Sequence, residues 1–188
     1  MSDLIQLAKK VLLIGDPAVG KTSLVRRFVL DIFDDTYLST LGTKVTNKTM
    51  IFNAPDGNQK VELKLMIWDV MGQKEYQMIQ ESAYMGSNGA IIVSDVSRKE
   101  TLDHLGNWVS DLYNVTSVVP IVIVGNKADL IDISSTNKDE LEQLAMSYEA
   151  PFVYTSAKNG ENVESMFQIL ARMLVNASLE DFAKPPIV

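Results

Sequence analysis

The residues with the clearest chemical signature lie in GDPAVGKTS, residues 15–23, between an apolar run and a helical pattern. Gly15 is followed after four residues by Gly20, Lys21 and Thr22, which is the spacing of a strand–loop–helix phosphate site. Backbone N–H groups of such a loop, together with the positive end of the helix dipole, bind an anion. Lys21 can reach β- and γ-phosphates, and the Thr22 hydroxyl can ligate Mg²⁺. A glycine-rich turn is the alternative, but the context favours a nucleoside triphosphate site. The expected phosphate-site residues are Gly15, Pro17, Ala18, Val19, Gly20, Lys21, Thr22 and Ser23.

A second polar segment, VGNKADL, follows a later apolar run. Asp129 offers two acceptor oxygens, and guanine offers two adjacent donors, N1–H and the 2-amino group, whereas adenine offers no such pair. A site built on this pairing can reject the wrong base by roughly 10⁴-fold. The Lys127 stem can cover the base, Asn126 can tie two loops together, and the Ala157 N–H in TSAK, residues 155–158, can donate to O6 of guanine. The expected base-site residues are Asn126, Lys127, Asp129, Ser156, Ala157 and Lys158.

A third segment, WDVMGQK at residues 68–74, ends an alternating apolar pattern in a single carboxylate. Asp69 is that carboxylate, and Gly72 and Gln73 follow shortly after it. The stretch is either a plain strand end with a turn or the moving part of a phosphate-binding site, and its residues alone leave both readings open.

The elements that must position these residues alternate along the chain in the order β-α-β-β-α-β-α-β-α-β-α. This order predicts an α/β fold with a six-stranded, mostly parallel sheet, helices on both faces and ligands at the carboxyl ends of the strands. A hairpin signal at PDGN, residues 55–58, makes one edge strand antiparallel. Asn137, with Glu140 three residues later, is expected to cap a helix. The predicted strands are Lys10–Ile14, Val45–Phe52, Val61–Ile67, Ala90–Ser94, Ile121–Val124 and Pro151–Tyr154, and the predicted helices include Lys21–Phe33, one through Leu141–Tyr148 and one through Val163–Leu174.

Composition limits the classes of function. With 188 residues and 46% hydrophobic residues, the chain is expected to form a single domain over residues 1–188. Its formal net charge of −7 argues against a nucleic-acid partner, and the absence of cysteine excludes disulfides and thiolate chemistry. No apolar run approaches the roughly 18 residues of a membrane span, and no signal peptide is visible, so a cytoplasmic protein is expected. The single histidine, His104, lies in a polar helical stretch and is expected to have no functional role.

The three segments together resemble a small GTPase of the Ras superfamily, over residues from about Lys9 to Val175. Within that superfamily the chain is most similar to Rab proteins, because Trp68 before the aspartate, TLG at 40–42 and SAYMGSNGAIIVSDVS at 82–97 match Rab segments. The resemblance implies a guanine-nucleotide switch that hydrolyses GTP slowly.

The resemblance also implies roles for individual residues. Thr22 and Thr40 would bind Mg²⁺ directly, and Asp69 would do so through a water. The Gly72 N–H would meet the γ-phosphate, Gln73 would orient the attacking water, and an aromatic would flank the base. The implied catalytic set is Gln73, Lys21, Gly72 and Thr40, with Phe33 and Tyr37 added to the nucleotide-binding residues.

Several positions depart from the family pattern. Val70 and Met71 replace the usual Thr-Ala, and Lys74 replaces the usual Glu after the glutamine. Pro17 lies in the phosphate loop, on the side from which a partner's arginine would arrive. No arginine lies near residues 37–40, so no arginine finger in cis is expected, and an activating partner is needed.

The implied partners are an exchange factor, an activating protein and effectors, which would contact residues 34–45 and 68–85. Trp68 and Tyr84 match two Rab aromatics that meet effectors, although both can equally be packed hydrophobes, and Val45 replaces the third. The chain ends FAKPPIV, in which no covalent lipid anchor is visible. The alternative function is a GTP-binding scaffold without hydrolysis. A P-loop ATPase or kinase is a further rival, against which NKAD and SAK argue.

Overall fold

The computed structural model describes residues 4–34, 42–54, 59–72, 77–131 and 138–183. The strands are β1 (Leu4–Ile14), β2 (Thr43–Asn53), β3 (Lys60–Val70), β4 (Gly89–Asp95), β5 (Ile121–Asn126) and β6 (Phe152–Tyr154). The helices are α1 (Lys21–Leu30), α2 (Gln77–Tyr84), α3 (Lys99–Asp103), α4 (Leu105–Val115), α5 (Lys138–Ser147) and α6 (Val163–Ala183), with a 3₁₀ turn at Ala128–Leu130.

The six strands form one sheet in the order β2-β3-β1-β4-β5-β6. Among the strands of the described residues, only the β2–β3 pair is antiparallel, and β2 lies at the edge, so the predicted fold class is confirmed. The residues of the hairpin signal, 55–58, lie outside the described residues. Every residue of β4 and β5 is buried, as expected for continuous apolar strands covered on both faces.

Two apolar layers hold the sheet between helices. One contains side chains of β1 and β3 packed with α1 and α6, including Phe28 stacked on Phe167 with ring centroids 3.9 Å apart. The other contains Leu12 and Ile14 packed with α2, α4 and α5 around the buried Trp108. Burial of apolar surface on this scale is the main stabilising contribution to the fold.

Strand register brings the polar strand ends together. Leu13 of β1 pairs with Asp69 of β3, and Asp95 of β4 pairs with Asn126 of β5. Because these strands are parallel, the loop after β1 and the polar residues that end β3, β4 and β5 all lie at the carboxyl edge of the sheet.

Several element boundaries differ from the predictions, among them those of β1, α1 and the helix between β4 and β5. β1 begins at Leu4 because it pairs with β3 along its whole length, and this pairing leaves no local sequence signal. α1 ends at Leu30 and not at Phe33, because Asp31 takes a left-handed conformation (φ 55°) that a helix cannot continue through. The helix between β4 and β5 is divided at His104 into α3 and α4. The capping residue predicted for α5, Asn137, lies outside the described residues.

Candidate nucleotide-binding site

The loop after β1 has a backbone that two glycines make possible. Gly15 has φ 142°, and a Cβ there would lie 2.1 Å from the Val93 carbonyl oxygen. Gly20 has φ 100°, and a Cβ there would lie 2.3 Å from Nδ2 of Asn126. Both positions therefore exclude any side chain, for conformational and for steric reasons.

Lys21 opens α1 and folds back into this loop. Its ammonium donates to the carbonyl oxygens of Gly15 at 2.7 Å and Asp16 at 2.8 Å. Burial lowers the pKa of Lys21 to about 8, although the nearby carboxylates of Asp69 and Asp16 act in the opposite direction. A buried ammonium on a phosphate loop gains most from an anion beside it, because the anion offsets its desolvation.

Thr22 and Asp69 form the next part of the site. The Thr22 hydroxyl donates to Oδ2 of Asp69 at 2.5 Å, while the buried Oδ1 of Asp69 has no hydrogen-bond partner among the described residues. Burial raises the pKa of Asp69, against the hydrogen bond from Thr22. A hard cation fits this pair, because an orphaned carboxylate oxygen and a hydroxyl are its preferred donors. In the described ranges no three His, Asp or Glu side chains cluster around a possible metal position.

Gly72 lies directly on the phosphate loop. A Cβ at this position would be 2.4 Å from the Gly15 carbonyl oxygen and 2.7 Å from the Pro17 nitrogen. The side-chain amide of Gln80 donates to the carbonyl of Met71, the residue before Gly72, at 3.0 Å. The structure therefore places Gly72 against the phosphate loop.

Asn126, at the end of β5, connects three parts of the site and is only 1% exposed. Its Nδ2 donates to the Val19 carbonyl of the phosphate loop at 2.8 Å. Its Oδ1 accepts from the Thr155 hydroxyl at 3.1 Å and from the Ala157 N–H at 3.2 Å. The predicted tie between loops is therefore present, and any bond from Ala157 to a base would share this N–H.

Asp129 and Ser156 meet across the base loops. The Ser156 hydroxyl donates to Oδ1 of Asp129 at 2.6 Å and accepts from the Asn159 N–H at 3.2 Å. The hydroxyl fixes one carboxylate oxygen and leaves Oδ2 free of that bond. Arg27 of α1 supports the same loop by donating to the carbonyl of Lys158 at 2.6 Å.

A buried carboxylate that the sequence analysis missed lies between the two loops. Asp95, 1% exposed, accepts from Lys127 Nζ at 2.7 Å and Arg98 Nε at 3.0 Å, and from the Ser97 hydroxyl at 2.6 Å. Burial alone would raise the pKa of Asp95, but the hydrogen bonds from Lys127, Ser97 and Arg98 outweigh burial and lower it. Lys127, predicted to cover the base, is thus oriented by this ion pair.

The outer side of the phosphate loop is also held by side chains that were not predicted. Asp16 accepts from the Trp108 indole N–H at 2.7 Å, and His104 Nδ1 lies 2.7 Å from its other oxygen. Arg98 Nη2 donates to the Pro17 carbonyl at 3.0 Å. His104 was expected to have no role, yet it contacts the phosphate loop at the break between α3 and α4.

Other predicted residues are placed less specifically. Phe33 is half-buried beside the α1–α6 layer, and Ser23 lies in the first turn of α1. Tyr84 is buried within the second layer, which favours its reading as a packed hydrophobe. Trp68 is half-buried, with Lys10 Nζ 3.9 Å from its ring centroid. Tyr37, Thr40, Gln73 and Lys74 lie outside the described residues.

Comparison with known proteins follows the same segments. A sequence model of the Ras family matches residues 10–176. The chain belongs to the Ras family. Ras-related protein Rab-8B from Homo sapiens is 38% identical over 164 residues, covering 87% of this chain and 76% of that protein. Ras-related protein Rab-1D from Dictyostelium discoideum is 37% identical over 180 residues, or 94% and 85% of the two chains. Ras-related protein Rab-22A from Canis lupus familiaris is 38% identical over 179 residues, or 94% and 87%.

Membership of the Ras family identifies a Rab-like GTPase that binds guanine nucleotides as a switch. The loop after β1, the Thr22–Asp69 pair and the Asp129 carboxylate lie at one edge of the sheet. Among the described residues, the helices are all too short or too polar to cross a membrane.

Proposed function

We propose that this Ras-family protein is a switch that holds GTP and GDP between the phosphate loop and the base loops and hydrolyses GTP slowly. The observation that carries the proposal is the bond from Asn126 to the Val19 carbonyl, 2.8 Å long, which joins the two loops into one site. A nucleotide contacts both loops at once, so each loop supports the geometry of the other.

Guanine selectivity is assigned to Asp129. Ser156 restrains one oxygen of this carboxylate, which orients the side chain before a base arrives. Two donors on guanine match the acceptors of this carboxylate, whereas adenine offers no such pair and would leave Oδ2 of Asp129 without a partner from the base. Lys127, fixed by Asp95, would cover one face of the base with its stem.

Mg²⁺ is assigned to Thr22, Thr40 and, through a water, Asp69. The orphaned Oδ1 of Asp69 and the adjacent Thr22 hydroxyl carry this assignment. When bound, the dication neutralises charge on the β- and γ-phosphates. Thr22 supplies an oxygen from the start of α1, and Asp69 supplies the balancing negative charge at the end of β3.

Hydrolysis is assigned to Gln73 and the loop beside it. Gln73 carries a donor and an acceptor and can orient a water in line with the γ-phosphate, while the Gly72 N–H donates to the phosphate. Lys21 stabilises the phosphate charge. With no arginine near residues 37–40 in the sequence, turnover is expected on the order of 10⁻⁴ to 10⁻³ s⁻¹, the scale of intrinsic hydrolysis by Ras.

The switch is read by partners that distinguish the two nucleotide states. Contacts of Thr40 and Gly72 with the γ-phosphate order the flanking segments in the GTP state and are lost on hydrolysis. Residues 34–45 and 68–85 are therefore proposed to meet an exchange factor, an activating protein and effectors in the cytoplasm. The Rab relatives make membrane trafficking the proposed pathway class.

Single-turnover GTP hydrolysis tests the catalytic part. The wild type should convert bound GTP to GDP measurably, whereas Gln73→Leu, similar in shape but without polar groups, should be at least about tenfold slower. Lys74→Glu restores the family charge and reports whether Lys74 contributes. Equal rates for the wild type and Gln73→Leu would favour the non-hydrolysing scaffold. Pull-downs with GDP-loaded and GTP-analogue-loaded protein then test the switch, which requires partners retained in only one state.

A further inference from the structure

Arg98 lies in the connection between β4 and α3 and bridges two groups beside the phosphate loop. Its Nη2 donates to the Pro17 carbonyl at 3.0 Å, and its Nε donates to Oδ2 of Asp95 at 3.0 Å. Asp95 is almost fully buried, so its carboxylate holds the guanidinium in a fixed position. The planar fork of arginine can hold both acceptors at once, which a lysine ammonium on a flexible stem does less well.

The hydrogen bond from Arg98 to the Pro17 carbonyl also affects the Ala18 N–H, because both groups belong to one peptide unit. The chain has no cis peptide bond among the described residues, so the Pro17 carbonyl and the Ala18 N–H point in opposite directions. The carbonyl points to Arg98, and the Ala18 N–H therefore points to the opposite face of the loop. Ala18 takes a left-handed conformation, φ 60°, of the kind that turns successive N–H groups toward an anion.

A cation on a carbonyl strengthens the donor at the other end of the peptide, because hydrogen-bonded groups polarise one another. The charge of Arg98 is partly balanced by Asp95 and by Glu100, whose carboxylate is 3.8 Å away and exposed, while Lys127 adds a second cation to Asp95. The remaining charge of Arg98 still acts on the phosphate site. Burial is the main cause of the lowered pKa of Lys21, and Arg98 is a further, smaller cause.

We propose that Arg98 is a positioning residue for GTP hydrolysis, which fixes and polarises the Pro17–Ala18 peptide so that its N–H stabilises charge developing on the phosphates. This inference rests on the proposed GTPase function. Charge moves onto the leaving oxygens only in the transition state, so the contribution of Arg98 is larger there than in the bound nucleotide. Arg98 therefore affects the rate of hydrolysis more than the affinity for nucleotide.

The test compares Arg98→Gln and Arg98→Lys with the wild type in single-turnover GTP hydrolysis and in GDP affinity. Arg98→Gln removes the charge, and Arg98→Lys keeps the charge but loses the fork. Lys99→Gln is the matched control, since it removes a neighbouring cation that is 62% exposed and pairs with Glu140, away from the loop. Thermal unfolding of all four proteins establishes that they are folded.

Arg98→Gln is expected to slow hydrolysis about tenfold, less than the roughly 10²–10³-fold that complete loss of an oxyanion donor costs. The GDP affinity of Arg98→Gln should change less than about threefold. The hydrolysis rate of Arg98→Lys should lie between those of the wild type and Arg98→Gln, and Lys99→Gln should hydrolyse GTP at the wild-type rate. A loss of affinity equal to the loss of rate would overturn the inference in favour of a purely structural role. A rate loss above roughly 10³-fold would also overturn it, because that size indicates direct contact with the phosphates.

Different results would overturn the proposed GTPase function and the proposed role of Arg98. A wild type that hydrolyses GTP at the same rate as Arg98→Gln overturns this inference and leaves the GTPase assignment intact. A wild type that binds GTP but releases no phosphate overturns both.

Discussion

Replacement of Asn126 by alanine should be among the most damaging single changes in the protein. The change removes one donor and one acceptor, and with them the bonds to the Val19 carbonyl, the Thr155 hydroxyl and the Ala157 N–H. All of these bonds are buried, so water cannot replace them freely. At about 1 kcal/mol net for each bond, and more where a buried group is left unpaired, the expected loss is about 3–4 kcal/mol of unfolding free energy. That is a large share of the roughly 5–15 kcal/mol typical of a domain.

Urea unfolding measures this loss, and Thr155→Val is the matched control. The valine is similar in shape and removes only the 3.1 Å bond to Asn126, so it should cost about 1 kcal/mol. Because bound nucleotide stabilises the folded state, midpoints must be compared at several GDP concentrations and extrapolated to none. The midpoint should shift without a change in slope. If Asn126→Ala cost no more than Thr155→Val, the view that Asn126 connects three segments would be refuted.

Asp129→Asn should shift binding from GTP toward XTP, because the new amide keeps one acceptor and gains a donor that matches the C2 oxygen of xanthine; unchanged GTP selectivity in competition binding would contradict the base-pocket assignment. EDTA should accelerate GDP release, since without the dication phosphate charge faces Asp69 uncompensated, and a fluorescent-GDP off-rate indifferent to EDTA would exclude a metal held by Thr22 and Asp69. Stability should also decline in acid. The pKa of Asp95 is lower in the folded protein than in the unfolded chain, so its contribution is complete above pH ~4 and is lost as the pH falls further. Urea midpoints of the wild type should therefore converge on those of Asp95→Asn as the pH falls below about 4, and a constant difference would count against this ion pair.

The parts of the site that the sequence predicted are those with local patterns. Gly20 and Lys21 are neighbours in the chain, and the phosphate loop needs both within one turn, so spacing alone identifies it. Asn126 and Asp129 likewise share one short loop. The antiparallel edge strand followed from two alternating runs flanking a turn signal.

The parts that sequence could not provide depend on tertiary contacts. His104 and Trp108 meet Asp16 across more than eighty positions, and nothing in their neighbourhood differs from an ordinary amphipathic helix. Arg98 has no local signal for the same reason, because it lies in the connection after β4 and contacts Pro17, which is distant from it in the sequence. The end of α1 depends on one left-handed residue, Asp31, whose conformation no periodic pattern encodes.

The ion pairs of Asp95 restrict the order in which substitutions can accumulate during evolution. One carboxylate pairs with Arg98, which contacts the phosphate loop, and with Lys127, which belongs to the base loop. Substitutions at these two positions share a partner, so their effects on stability should not add. Loss of one cation makes the other more important for balancing the buried charge of Asp95, whereas prior loss of that charge removes what both cations contribute to stability through it. The order in which Asp95, Arg98 and Lys127 are substituted therefore matters. The same substitution is tolerated or rejected according to which of the other two residues has already changed.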